Sequence, residues 1–209
     1  MKPMLKHYPD KPWERSESDI PSWGVCQYMC QQKSDGWRIE VIKDLNGEIH
    51  YFSSHNKNLG SSVEDHLKEE MSALLADVPN GSQFDGEWLS RRSHSKVDGA
   101  KPCIILFDVM RWGGDWLLKV PCWERWEILK SAIASTETIL LTDMADGSFV
   151  EFYNKQKSIP QSEGIVVKHK RSTLVGDRKG LKKNGRWFKV RYRAGSDGET
   201  SLDHLRIGP

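Results

Sequence analysis

The chain lacks the features that would place it in a membrane or in an oxidising compartment. No apolar run in its 209 residues reaches the ~18 that a spanning helix needs. The opening stretch "MKPMLKHYPDKPWERSESD" lacks the apolar centre of a secretory leader. Cysteine is scarce: Cys26, Cys30, Cys103 and Cys122 fit reduced, partly buried thiols better than a disulfide framework. Cys26 and Cys30, four apart in a strand-like segment, would share a face. No second Cys/His pair at finger spacing completes a zinc site with them. Internal repeats are also missing. These absences predict a cytoplasmic, intracellular protein with no membrane partner, built on one large domain.

Charge is nearly balanced overall, at +2, but it is unevenly placed. Between Lys168 and Arg193 stand eleven lysines and arginines against one acid, Asp177. That asymmetry fits either contact with phosphates or a solvated basic hairpin. Tryptophan is abundant, with nine copies, and most should line the core or a cleft.

Residues 1–22 read as an irregular N-terminal arm. "VCQYMC", "WRIEVIK" and "EIHYFS" read as three meandering strands, joined by a Ser-Asp-Gly turn and an Asn46-Gly47 turn. "SSVEDHLKEEMSALLADV" predicts a helix capped by Ser61 or Ser62, with Leu67, Met71, Leu74, Leu75 and Val78 as its apolar stripe. "SQFDGEWLS" reads as a strand and "CIILFDVMRW" as a buried central strand. "VPCWERWEILKSAIAS" predicts a second helix, "TILLT" a short strand, and Phe149, Phe152 and Tyr153 fall at helical spacing. "EGIVVKHK" and "RWFKVRYR" alternate apolar and basic residues as strands. The tail 194–209 is polar, Gly-rich and linker-like. The mixture predicts an α+β domain over 23–193, with mostly antiparallel sheets flanked by helices.

Five short stations carry the chemistry. They are "KSDGWR" with Lys33, Asp35, Gly36 and Arg38; "DGEW" with Asp85 and Glu87; "LFDVM" with Phe107 and Asp108; "SEGIVVK" with Glu163 and Lys168; and "WFKVR" with Lys189 and Arg191. In order and spacing they resemble the ATP-dependent DNA ligase branch of the covalent nucleotidyltransferases, which also includes RNA ligases and mRNA-capping guanylyltransferases. The resemblance covers roughly residues 25–192. "PCWERWEIL" and "STLVGDRKG" add to it.

The resemblance implies an ATP-grasp-like nucleotidyltransferase fold and ATP as substrate, with AMP as a covalent adduct. It implies that Lys33 attacks the α-phosphate of ATP to form a lysyl-AMP. AMP then passes to a 5′-phosphate of nicked duplex DNA, and the 3′-hydroxyl displaces it. Such a lysine must be neutral, although its free pKa is about 10.4. Neighbouring cations would lower it. By the same resemblance Arg38 contacts the ribose, Phe107 stacks on adenine, and Gln31 lies at the nucleotide. Glu87 and Glu163 serve Mg²⁺ or Mn²⁺, Lys189 and Arg191 hold phosphate, and Lys168 does the same or contacts DNA. Lys33, Lys189 and Arg191 form the catalytic set. Asp35 shapes the turn, Gly36 supplies a positive φ or a close approach, and Asp108 is hydrogen-bonded in its buried strand.

The sequence departs from the family pattern in three places. His55 stands where an arginine is expected, with Asn56 or Lys57 as substitutes. The last station ends in Arg191 rather than lysine, which is a different phosphate ligand. No closing Arg-x-Asp-Lys motif of an OB domain follows, so the expectation is either an isolated adenylation domain or a naturally minimal ligase that borrows closure from a separate OB-type domain or a partner protein. The expected protein is a monomer from a bacterial or phage-infected cell. RNA ligation, guanylyl transfer to mRNA caps and a non-catalytic nick- or nucleotide-binding module remain the alternatives.

Overall fold

A computed structural model describes residues 9–90, 101–176 and 182–192. The tail 194–209, residues 1–8 of the arm, and Arg178, Lys179 and Arg193 of the basic cluster lie outside the described residues. Among the described residues ten strands form two sheets: β1 Asp10–Glu14, β2 Tyr28–Ser34, β3 Trp37–Lys43, β4 Ile49–Ser53, β5 Ser82–Leu89, β6 Cys103–Trp112, β7 Asp115–Trp116, β8 Ile139–Leu141, β9 Ser162–His169 and β10 Lys182–Arg191. One sheet has the order β1-β10-β9-β2, and the other β4-β3-β5-β6-β7, with β8 beside β6. Pairing is antiparallel except for β1 with β10 and β6 with β8. The α+β expectation of mostly antiparallel sheets holds.

The helices are α1 Asp65–Leu74, α2 Cys122–Ala132 and α3 Phe149–Gln156. Leu67, Met71, Leu75 and Val78 of the first apolar stripe are buried, but helical hydrogen bonding starts only at Asp65, after an extended Glu64. Ser61 and Ser62 therefore do not cap it. The main core packs α1 and α2 against the larger sheet and takes in Met29 and Trp187 from the smaller one. A second core covers the outer face of the smaller sheet, where Phe149, Phe152 and Tyr153 of α3 meet Cys30, Ile165, Val167 and Val190.

Three sequence expectations change. The arm is not irregular over 10–14, because β1 is an edge strand paired with β10. The Ser-Asp-Gly turn does not close a hairpin: β2 pairs with β9, whereas β3 pairs with β4 and β5. The chain crosses from one sheet to the other at Asp35-Gly36, so the two faces of a cleft begin on either side of this dipeptide. Cys26 precedes β2 and is exposed while Cys30 is buried, so the two do not share a face. All four cysteines are free thiols.

Candidate active site

The floor of the cleft comes from the smaller sheet. Register places Lys33 opposite Gly164 and Gln31 opposite Val166. On the far side of β9, Arg191 lies opposite Gly164 and Lys189 opposite Val166. Side chains alternate along strands, so Gln31, Lys33, Lys189 and Arg191 share one face. The intervening Cys30, Ile165, Val167 and Val190 fill the second core on the other face. By the same alternation Glu163 should point away from the cleft. It does not, because the β2–β9 register shifts at Lys33/Ser34 and Gly164 adopts φ 149°. Glu163 consequently forms an ion pair with the Lys33 ammonium, and its other oxygen lies 3.5 Å from Arg191 Nε.

The opposite wall comes from the larger sheet, where Arg38 pairs with Glu87 across β3 and β5. Arg38 donates from Nε to Asp85 at 2.9 Å and from Nη1 to the Asp10 carbonyl at 2.7 Å, and its Nη2 pairs with the second Asp85 oxygen. The Gly36 N–H donates to Glu87 at 3.1 Å, which ties the sheet crossing to β5. Gly36 is required there by close approach and not by a positive φ: a Cβ would lie 2.6 Å from the Trp88 carbonyl. Phe107 has no partner in the β5–β6 register, where Gly86 meets Leu106 and Asp85 meets Asp108. It is the extra residue of a β-bulge, and the bulge re-aims its ring. Arg38 and Lys168 stand 5.6 and 5.3 Å from the ring centroid. Gln31 Nε2 donates to the Phe107 carbonyl at 3.1 Å and so joins the two sheets above the floor.

Burial dominates the electrostatics. It pushes the Lys33 ammonium down to about 8, with Arg191 and Lys189 adding to the effect and Glu87 and Asp35 opposing it. It also pushes the Glu87 carboxyl up to about 7, against the pull of Lys33 and Arg38. Burial disfavours the Arg38 charge, but Asp85 outweighs it and holds the guanidinium above its ordinary value. Asp108 shows the same balance: burial raises it, while Arg125 and Lys168 overcome that and hold it below the carboxylate range. Arg125 grips Asp108 with two bonds of 2.8 Å from the buried face of α2.

Two walls carrying a desolvated lysine, paired cations, a bulged aromatic ring and two carboxylates can hold a nucleotide between them. The sequence profile of the family described as ATP dependent DNA ligase domain matches residues 16–191, which takes in every one of these residues. The chain belongs to this family.

Among relatives of this ligase-family domain, the SPbeta prophage-derived DNA ligase-like protein LigB of Bacillus subtilis is 23% identical over 178 residues, covering 78% of the chain and 60% of LigB. DNA ligase 1 of Schizosaccharomyces pombe is 25% identical over 232 aligned positions, covering 99% of the chain and 29% of that protein. Two solved structures share the fold. The mycobacterial DNA ligase D complexed with ATP and MES superposes with a TM-score of 0.73 at 15% identity, over 92% of this chain and 62% of that one. The bacteriophage T7 ATP-dependent DNA ligase in complex with ATP gives 0.57 at 17%, over 88% and 68%. The chain thus spans about 60% of the length of the first of these relatives.

The domain brings Gln31, Lys33, Arg38, Glu87, Phe107, Glu163, Lys189 and Arg191 to one cleft. Lys168 differs. Its ammonium is buried 3.6 Å from Asp108 and 4.3 Å from the Trp187 ring, beneath Phe107. That location suits support of an aromatic platform and not a direct grip on phosphate. His55 and Lys57 lie in an exposed turn after β4. Sequence reasoning missed Asp10, Glu14 and the pairing role of Asp85. Asp10 is buried, receives N–H groups from Val175, Gly176 and Asn184, and offers its carbonyl to Arg38. Nothing local in the arm signals this, because β1 pairs with residues some 170 positions away. Asp85 had a signal in its two-residue spacing from Glu87, which puts both acids on the face that carries Arg38.

Proposed function

We propose that the chain is the adenylation domain of an ATP-dependent DNA ligase that seals nicks in duplex DNA. The observation that carries this reading is Lys33: a half-buried amine brought down to about 8, on the same sheet face as Lys189 and Arg191 across β9. A lysine in that state is neutral often enough near neutral pH to act as a nucleophile. Its nitrogen attacks the α-phosphorus of ATP. A P–N bond forms, the bond to the β-phosphate oxygen breaks, pyrophosphate leaves, and the amine loses a proton. A 5′-phosphate oxygen then attacks the same phosphorus and the P–N bond breaks. Finally the 3′-hydroxyl attacks the activated 5′-phosphate, the phosphodiester forms and AMP leaves.

Lys189 and Arg191 are suited to neutralising the charge that develops on the phosphoryl oxygens. Phe107 offers a ring for the base, held from behind by Lys168 and by the Gln31 bond to its carbonyl. Arg38, fixed by Asp85, stands at the ribose side. Glu163 and Glu87 are hard oxygen donors on opposite walls and fit Mg²⁺ or Mn²⁺, which prefer a few carboxylates plus substrate oxygens. Such an ion, when bound, would supply Lewis-acid stabilisation of the phosphates. The protein acts as a monomer, in the cytoplasm of a bacterial or phage-infected cell, with closure by an OB-type domain or a partner protein.

Incubation with α-labelled ATP and Mg²⁺, followed by denaturation, tests the reading. Label retained by the wild type and lost in Lys33→Ala supports it. Label from GTP alone indicates a capping enzyme. Binding of nicked duplex with no label from either nucleotide indicates a non-catalytic module.

A further inference from the structure

The two cations assigned to phosphate already have an anionic partner in this fold. Glu14 Oε2 lies 2.9 Å from Lys189 Nζ and 3.8 Å from Arg191 Nη1. The contact is built in by the backbone. β1 runs parallel to β10 with Glu14 opposite Lys189, and the Arg15 N–H donates to the Lys189 carbonyl at 2.9 Å. At its other end β1 is anchored by Asp10, whose buried carboxylate takes bonds from Val175, Gly176 and Asn184. Backbone pairing therefore fixes Glu14 beside Lys189, within side-chain reach of both cations.

Glu14 is also placed to leave. Its side chain is 54% exposed, against 20% for Lys189 and 31% for Arg191. An open cavity of about 820 Å³ lies directly beside it, bordered by Glu17, Tyr153, Lys157, Arg191 and Tyr192. The carboxylate can swing into that space without unpacking any core. Glu17, three residues on, borders the same cavity but pairs with Lys157 and the Tyr153 hydroxyl and not with Lys189 or Arg191.

We propose that Glu14 is an internal counter-anion that occupies the phosphate-binding cations Lys189 and Arg191 and must be displaced by the polyphosphate of an incoming nucleotide. The inference rests on the assignment of those cations to phosphate. A carboxylate and a phosphate compete for the same donors, and a triphosphate wins by charge and by number of oxygens. The contact thus sets a threshold: mono-anions and weakly charged ligands do not open the site, while a nucleoside triphosphate or pyrophosphate does.

Isothermal titration calorimetry of the full chain with ATP in EDTA, where turnover is halted, tests this. Removing a partly exposed pair to each of two cations predicts about three- to tenfold tighter ATP binding by Glu14→Gln. The advantage should shrink as salt rises. Glu17→Gln removes the same charge from the same segment and should stay within about twofold of wild type. Equal or weaker ATP binding by a folded Glu14→Gln overturns the proposal, since Glu14 would then assist the nucleotide or ignore it. Equal tightening by Glu17→Gln also overturns it, because loss of negative charge alone would account for the effect. Should Glu14→Gln fail to fold, Glu14→Asp withdraws the carboxylate by one methylene and must shift affinity in the same direction. Lys189→Met separates the two readings. If it weakens ATP binding while Glu14→Gln does nothing, only the counter-anion proposal fails; if it has no effect, the phosphate assignment fails and takes the proposal with it.

Discussion

Replacing Gly164 with alanine should damage both stability and chemistry, and the structure allows the cost to be worked out. The residue holds φ 149°, and a Cβ there would sit 1.9 Å from the Val190 carbonyl oxygen and 2.9 Å from the Arg191 Cα. No rotamer relieves this, since the obstacle is backbone. The unfavourable φ alone costs on the order of 1–3 kcal/mol. To clear the carbonyl, β9 must also move away from β10, which sacrifices one or two ladder hydrogen bonds worth about 1 kcal/mol each. The sum is ~2–5 kcal/mol, a fall of roughly 4–20 °C in Tm for a domain of this size. Thermal unfolding read by tryptophan fluorescence measures it. Gly147→Ala is the control: nothing lies within 4 Å of its Cβ, so the change should stay within about 0.5 kcal/mol. Because Gly164 stands opposite Lys33 and turns Glu163 into the cleft, Gly164→Ala should form no covalent adenylate even where it remains folded. A Gly164→Ala protein as stable as Gly147→Ala, with adenylation intact, would refute the account of how β9 positions the site.

Asp108→Asn leaves the Arg125 charge buried without its partner and should cost about 3–5 kcal/mol in urea unfolding near pH 7. The Asp108 carboxyl is held below its ordinary value, so its contribution is complete above the unfolded pKa of about 3.9 and is lost as pH falls through the lower folded value. The wild type should therefore converge on the variant in acid. Adduct formation should follow the neutral fraction of Lys33, rising with pH and levelling above about 8; a single-turnover rate still climbing at pH 10 contradicts the lowered amine. If the Phe107 ring stacks on the base as proposed, Phe107→Ala should raise the KM for ATP about tenfold or more with a smaller change in kcat. A fall in kcat with KM unchanged would instead place the ring's contribution in the transition state.

The chemistry was legible in the sequence where it rests on residue type and strict alternation. Lys33 and Gln31 on one strand, and Lys189 and Arg191 on another, fall at two-residue spacing, and a strand of period two must put each pair on one face. The buried central strand around Phe107 and Asp108, and the apolar stripe of α1, follow from the same periodicities.

Other features depend on events that alternation cannot encode. Phe107 leaves the core because of a bulge, and Glu163 turns toward Lys33 because Gly164 takes a φ that other residues avoid. The Ser-Asp-Gly stretch has the residues of a hairpin turn, but it joins two sheets, since β2 finds its partner in β9, more than a hundred residues away. Lys168 belongs to a strand of cleft residues, yet Asp108 and Trp187 claim it from beyond that strand. The arm became a strand, and Asp10 and Glu14 became part of the site, only through parallel pairing with β10. By itself the sequence determined which groups could carry the chemistry, because residue types and local periods are properties of the chain. Which of them meet was decided by the tertiary structure, through backbone pairings between segments far apart in sequence and the few backbone irregularities those pairings impose.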